Sequence, residues 1–127
     1  MYNLYISSLL LGSILTVSHS QSPNGNWVLT FFDDFDGTSV NTTNWSIANN
    51  QTQDGGHAIF VKDAISVANS NLVITTTANT YEYNNVTYNF TSGWIQTQNH
   101  FSQRNGRWEA YAKLPRANAS CAWPAWW

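Results

Sequence analysis

Apolar and polar residues alternate at short intervals along most of this chain, and long stretches with a 3.6-residue period are missing. Such alternation places successive side chains on opposite faces of an extended strand. Turn-forming residues separate the alternating runs. The pattern therefore predicts an all-β chain with strands at residues 27–35, 58–61, 64–67, 72–77, 94–98 and 107–114, and with a hairpin over residues 81–88.

Two of these segments carry further information. In the hairpin, Asn84-Asn85 lies between the alternating arms, and asparagine tolerates the positive φ of a tight primed turn. Residues 107–114 alternate most cleanly, with Trp108, Ala110, Ala112 and Leu114 on one predicted face. One-faced alternation is what two packed antiparallel sheets require, so the pattern favours a β-sandwich.

The first twenty residues have a different pattern. An apolar stretch over residues 9–17 precedes Ser18-His19-Ser20, which has small residues at the positions expected before a cut at Gln21. This predicts a secretory signal peptide at 1–20 and an extracellular mature chain, 21–127, although the leader lacks the usual Lys or Arg. A membrane anchor is the alternative, but the stretch is shorter than the roughly 20 apolar residues that span a bilayer.

Two further features bear on secretion. Six Asn-x-Ser/Thr glycosylation motifs occur, at Asn41, Asn44, Asn50, Asn85, Asn89 and Asn118. Chance gives roughly three at this composition, and the first two are too close for both to be modified easily. Cys121 is the only cysteine; either it pairs outside this sequence or it is a small buried apolar residue.

Composition narrows the class of partner. Charged residues make up 9% of the chain, while Asn, Ser and Thr supply 42 of its 127 residues. The formal charge is −2 and the five basic residues form no run, so nucleic acid is not an expected partner. The sequence has no phosphate-binding loop, zinc motif or nucleophile elbow, and His57 and His100 are expected in surface loops. We expect no metal site and no cofactor.

Carboxylates and tryptophans remain as candidates for chemistry. Asp33, Asp34 and Asp36 are adjacent, but neighbours on a strand point to opposite faces. Glu109 lies within a predicted strand, either as one of an exposed Glu–Lys pair or in a site. Five of the seven tryptophans are either core residues or rings that stack on sugars: Trp94, Trp108, Trp123, Trp126 and Trp127. The low charge favours a neutral polysaccharide as the ligand.

Four segments in the same order resemble glycoside hydrolase family 16, of the laminarinase or endo-β-1,3-glucanase type. They are "WVLTFFDDFDGTSVNTTNWSI", "SVANSNLVITT", "YNFTSGWIQTQNHFSQRNGRWEAYAKLP" and "AWPAWW", which together extend over most of the mature chain. The resemblance implies a concanavalin A-like β-jelly-roll sandwich whose concave sheet binds β-glucan. It also implies a secreted enzyme that cleaves O-glycosidic bonds by a retaining mechanism. The complete domain would be a monomer and could hold a structural calcium.

The family's catalytic Glu-x-Asp-x-(x)-Glu motif lies shortly after the Trp-Pro-Ala-x-Trp segment. Here the sequence stops at Trp127, so the resemblance implies an incomplete sandwich without catalytic residues. Retaining hydrolysis needs two carboxyl groups about 5–5.5 Å apart. We therefore expect these 127 residues alone to be inactive.

The resemblance implies that several residues of this chain belong to a substrate cleft. Trp123 and Trp127 match tryptophans that line sugar subsites, and Glu109 matches a strand glutamate that hydrogen-bonds glucose. Asp54 falls where relatives place a polar cleft residue. Trp94 and Tyr111 stand where the family often has Arg, so aromatic rings replace two hydrogen-bond donors. The resemblance therefore does not determine which glycosidic linkage of the glucan is preferred.

Two other functions stay open at this point. One is a non-catalytic β-glucan-recognition protein on the same fold, which the residues after Trp127 would distinguish from a hydrolase. The other is a secreted glycoprotein without a sugar site. That third alternative predicts that Trp123, Trp127 and Glu109 point into the sandwich interior.

Overall fold

The computed structural model describes residues 2–7 (backbone only), 27–53, 56–115 and 123–126. Its strands are β1 (Tyr2–Ser7), β2 (Ser46–Ile47), β3 (Ala58–Phe60), β4 (Ile65–Val67), β5 (Asn71–Tyr83), β6 (Val86–Ser92), β7 (Ile95–Gln96) and β8 (Ala112–Lys113). The helical content of these ranges is one 3₁₀ turn, Lys62–Ala64. The described chain is all-β, as the alternating pattern predicts.

Strand β5 organises the larger sheet, whose order is β3-β6-β5-β1-β8 with β4 also paired to β5. Along its 13 residues, β5 pairs antiparallel with β1 and β4 through its first half and with β6 through its second half. A register shift between Ala78 and Tyr81 separates the two halves. Strands β2 and β7 form a separate two-stranded sheet. Strand β1 falls within the predicted leader, which stays a prediction.

The turn predicted at Asn84-Asn85 is present, and a second turn with asparagine precedes β5. Asn84 and Asn85 connect β5 to β6 with φ values of 51° and 61°. Asn69 and Ser70 connect β4 to β5 with φ values of 53° and 54°, closed by reciprocal hydrogen bonds between the backbones of Ala68 and Asn71. Positive φ at both central residues defines the primed turn that suits the twist of a hairpin.

The core has two parts. The first contains the buried residues Phe35, Val40, Val67 and Leu72, packed against Trp45, Ile47, Ile65, Ile74 and Ile95. The second contains Ile59, Val61 and Ala64, covered by Tyr81, Tyr83 and Tyr88. Strands β3, β4 and β5 supply Ile59, Val67 and Leu72 to these clusters, because alternate side chains of a strand face inward.

The prediction of strands at 27–35 and 107–114 is wrong for most of their length. Residues 27–35 form no strand, and only Ala112–Lys113 of the second segment pairs, with β1. Trp108 and Leu114, expected on a packed face, are 48% and 58% exposed. Alternation makes a segment able to pair, but a strand also needs a neighbouring edge that offers hydrogen bonds.

Candidate functional site

A chain of five aromatic rings runs from the first core cluster to the surface. The stacked pair Phe35 and Trp45 lies at its inner end, with ring centroids 5.9 Å apart. Phe31 contacts Trp45 edge-on at 5.5 Å and stacks on Phe101 at 4.8 Å. Phe101 contacts Trp108 edge-on at 5.9 Å, and Trp108 is half exposed. The aromatic chain therefore anchors an exposed indole to the core.

Asp33 fixes the inner end of this aromatic chain. One carboxylate oxygen accepts the indole N–H of Trp45 at 2.7 Å and the side-chain amide of Asn44 at 3.4 Å. The other accepts the backbone N–H of Phe35 at 2.9 Å, where the backbone has a φ of 53°. The acidic cluster "DDFD" thus supplies a structural hydrogen-bond acceptor at Asp33, a role that the sequence pattern alone does not reveal.

Two polar contacts hold the segment that carries Trp108. The hydroxyl of Ser46 lies 2.9 Å from Nε2 of His100, an exposed residue. The hydroxyl of Thr30 donates to Oε1 of Gln103 at 2.6 Å. Residues 27–35 are therefore connected to residues 100–108 by side chains, although neither segment forms a regular strand there.

Glu109 and Tyr111 lie on the exposed stretch that follows Trp108. The carboxylate of Glu109 forms an ion pair with Nη2 of Arg107, and both side chains are about half exposed. The ring of Tyr111 is 63% exposed. An ion pair at this exposure orients the carboxylate but contributes only about 0–1 kcal/mol to stability. Both side chains remain accessible to a ligand.

Trp123 and Trp126 are also exposed, by 87% and 60%. This arrangement differs from the burial expected for a glycoprotein without a sugar site. Trp127 and Asp54, the other two predicted cleft residues, lie outside the described residues.

Trp94 has a different environment. It is half-buried between β6 and β7, and its ring contacts Phe60 edge-on at 5.3 Å. Its carbonyl oxygen accepts the N–H of Ala48 at 2.9 Å. The contacts of Trp94 are thus with the β2 and β3 region, whereas Glu109 is held by Arg107. These two predicted site residues have separate neighbours.

A surface depression of about 420 Å³ lies beside the first core cluster. Its walls combine hydroxyl groups of Thr38, Ser39, Thr42 and Ser66 with apolar side chains such as Val40 and Val67. None of the predicted sugar-binding residues that the structure describes lines it. The depression and the exposed aromatic residues are therefore distinct features.

Neither a metal-binding cluster nor a helix able to cross a membrane occurs in the ranges that the structure describes. No group of three or more His, Cys, Asp or Glu side chains is placed to hold a metal ion in this part of the chain. Within the same ranges, no helix has the length and apolar character needed to cross a membrane.

Comparison with known proteins gave one partial similarity. No protein-family model matches the chain, and no curated protein matches it. Among solved structures, the chain is similar to porphyranase B from Zobellia galactanivorans, with 29% sequence identity and a TM-score of 0.42 over 50% of this chain. The chain spans about a quarter of the length of that protein, since the match covers 24% of it. A likeness this partial leaves the function to be argued from the residues of the chain itself.

Proposed function

We propose that the chain is part of a secreted glycoside hydrolase of the endo-β-1,3-glucanase type with a β-jelly-roll fold, and that its final third binds β-glucan. The four segments that resemble family 16, in their family order, support this proposal. The observation that carries it is the exposure of aromatic side chains in that final third.

Four of the six exposed aromatic rings in the described residues lie in the final third of the sequence, namely Trp108, Tyr111, Trp123 and Trp126, and the other two are Trp27 and Phe32. Burying a large apolar side chain contributes about 1.5–3 kcal/mol, so a fold that leaves several of them in water forgoes that stabilisation. Exposed apolar patches commonly mark binding surfaces. Flat rings can stack on the apolar faces of sugars, and the few charges on this chain suit a neutral polymer.

Glu109 is suited to orient such a ligand. Its carboxylate accepts hydrogen bonds, and a hydrogen bond to a charged group contributes about 1.5–3 kcal/mol. The ion pair with Arg107 adds a donor beside this acceptor. A retaining hydrolase needs a second carboxyl group about 5–5.5 Å away, whereas the ionic partner of Glu109 is a guanidinium. We therefore assign Glu109 to binding and not to bond cleavage.

A non-catalytic β-glucan-recognition protein is the second candidate. The Glu109–Arg107 pair favours it to the same extent, because binding requires no pair of acids. The two candidates differ in one requirement, because a hydrolase of this type needs two Glu flanking an Asp in the whole protein and a recognition protein does not. In both cases, we expect the 127-residue chain to release no reducing sugar from laminarin.

Isothermal titration of the full chain with laminarin, a soluble β-1,3-glucan, tests the proposal. Trp123→Ala is expected to weaken binding by about 1–3 kcal/mol, the cost of losing an aromatic contact at the centre of an interface. This corresponds to a Kd about 5–150 times higher.

Trp27→Ala is the matched control, because Trp27 is also exposed, by 56%, but lies outside the predicted cleft. Its Kd should match that of the unchanged chain. Equal affinities for the Trp123→Ala variant and the unchanged chain would exclude the assignment of Trp123. No binding of laminarin by the unchanged chain would exclude the proposed β-glucan site.

A further inference from the structure

The Asn-x-Ser/Thr motifs of this chain have unequal surroundings in the folded structure. Five of the six lie in the described residues, and Asn118 falls outside them. An asparagine-linked glycan is bulky and hydrophilic, so a folded protein accommodates it only at the surface. The exposure of the asparagine and of the hydroxyl residue two positions later therefore distinguishes the motifs.

Asn85 has the most open position. It is the second central residue of the primed turn between β5 and β6, where its φ is 61°. Asn85, Val86 and Thr87 are all exposed. The side chain of Asn85 makes no hydrogen bond to any residue that the structure describes. A glycan at this turn would extend into solvent from the end of a hairpin.

Asn41 and Asn44 lie in one turn but differ in access. Asn41 and Thr43 are exposed, and the hydrogen bond of Asn41 to the N–H of Thr43, at 3.0 Å, uses Oδ1 and not Nδ2. Asn44 is half-buried, and its Nδ2 donates to Asp33 beside the indole of Trp45. A glycan on Asn44 would occupy the space next to this core contact.

The motifs of Asn50 and Asn89 each have only one exposed member, either the asparagine or the hydroxyl residue two positions later. Asn50 is half-buried, and its Oδ1 accepts the hydroxyl of Tyr81 at 2.8 Å. Asn89 is exposed on β6, but the hydroxyl of its partner Thr91 is buried and donates to Asn79 at 3.2 Å. In the folded chain neither motif presents both an open asparagine and an open hydroxyl.

We propose that Asn41 and Asn85 are the glycosylated positions of the folded, secreted chain among the described motifs, and that Asn44, Asn50 and Asn89 remain unmodified. This inference rests on the proposed export of the chain. The donor is an oligosaccharide linked to a polyprenyl diphosphate. Nδ2 loses one proton and bonds to C1 of the first sugar, while the bond from C1 to the diphosphate oxygen breaks and the diphosphate leaves.

The test is expression of the full chain, leader included, in a secreting eukaryotic cell, with analysis of the soluble secreted product. Thr43→Ala removes the motif of Asn41, and Thr87→Ala removes that of Asn85. Thr52→Ala removes the motif of Asn50 and is the matched control, because all three threonines are exposed. The first two variants should each lose one glycan-sized step in gel mobility, and the control should lose none.

Mass spectrometry identifies the sites directly. Chymotryptic cleavage after Tyr88 separates Asn85 from Asn89, and an enzyme that removes the glycan converts a modified Asn to Asp. A glycan on Asn44, Asn50 or Asn89, or its absence from Asn85 or Asn41, would overturn the inference while export stands. A chain that retains residues 1–20 and carries no glycan would instead overturn export, and the inference with it.

Discussion

Gly93 lies where the chain leaves β6, against Ile65 and Ile74, which pack on the first core cluster. A Cβ atom built on Gly93 would overlap Cδ1 of Ile65 and would lie 3.0 Å from its Cγ1. The same atom would lie 3.1 Å from Cγ2 of Ile74. Gly93→Ala therefore adds a methyl group to a space already filled by strands β4 and β5.

The size of the effect follows from which atoms can move. Cδ1 of Ile65 is the free end of a side chain and can rotate away, whereas Cγ2 of Ile74 is attached directly to Cβ and moves only if the χ1 rotamer changes or the strand shifts. Adding a methyl group to a packed core costs about 1–3 kcal/mol. We expect Gly93→Ala to lower the free energy of unfolding by this amount, which is a large part of a typical total of about 5–15 kcal/mol.

Two further variants make the prediction specific to packing. Gly37→Ala is the control, because its new Cβ would have no neighbour closer than 3.5 Å. At such a site, replacing Gly is neutral or stabilising by up to about 1 kcal/mol. Ile65→Val removes Cδ1, the overlapping atom. Alone it should cost about 0.5–1.5 kcal/mol, but combined with Gly93→Ala it should cost less or restore stability.

Urea unfolding of the four variants and the parent, followed by tryptophan fluorescence, measures these free energies. The close packing of Gly93 would be refuted if Gly93→Ala were as stable as Gly37→Ala. Exact additivity of Gly93→Ala and Ile65→Val would also contradict it, because the two substitutions act on one contact.

The other predictions concern hydrogen bonds of the core. Asp33→Ala should cost about 1.5–3 kcal/mol and shift the Trp45 fluorescence, because the indole and the N–H of Phe35 lose a charged acceptor. Exposed Asp36→Ala is its control, and equal stabilities of the two variants would contradict the role of Asp33. Tyr81→Phe should cost about 0.5–1.5 kcal/mol through loss of the bond to Asn50, as measured by urea unfolding. Tyr88→Phe, from the same cluster, should cost less, and the opposite order would argue against the bond.

Three of the strands predicted from sequence, β4, β5 and β6, have local partners, whereas β3 and β7 pair with strands that are distant in sequence. Strands β4, β5 and β6 follow each other through two-residue turns. The alternation and the asparagines within this one stretch are therefore enough to predict both the strands and their turns. Residues 27–35 alternate as well, yet they have no ladder partner in the described chain. Phe31 contacts the rings of Trp45 and Phe101, and the local sequence pattern does not predict contacts between residues so far apart.

The site residues were expected from composition and from the resemblance to family 16, and their role in sugar binding stays a prediction. The structure adds the exposure of Trp108, Tyr111 and Trp123. Sequence could not reveal that Trp94 packs on Phe60, because a tryptophan in the core and one on a surface have the same local signal. Nor could it reveal that Asp33 binds an indole 12 positions later, which depends on the path of the intervening loop.

Strand β5 is bordered on two sides through Leu72, Val73 and Ile74, by β4 on one side and by β1 on the other. If the leader is removed as proposed, the amides of β5 that face β1 lose their partners, while those that face β4 keep them. Protection against hydrogen–deuterium exchange would then alternate from residue to residue along this strand. The newly open edge could also pair with another extended chain. The solubility of the processed protein would then depend on whether another strand covers this edge of β5.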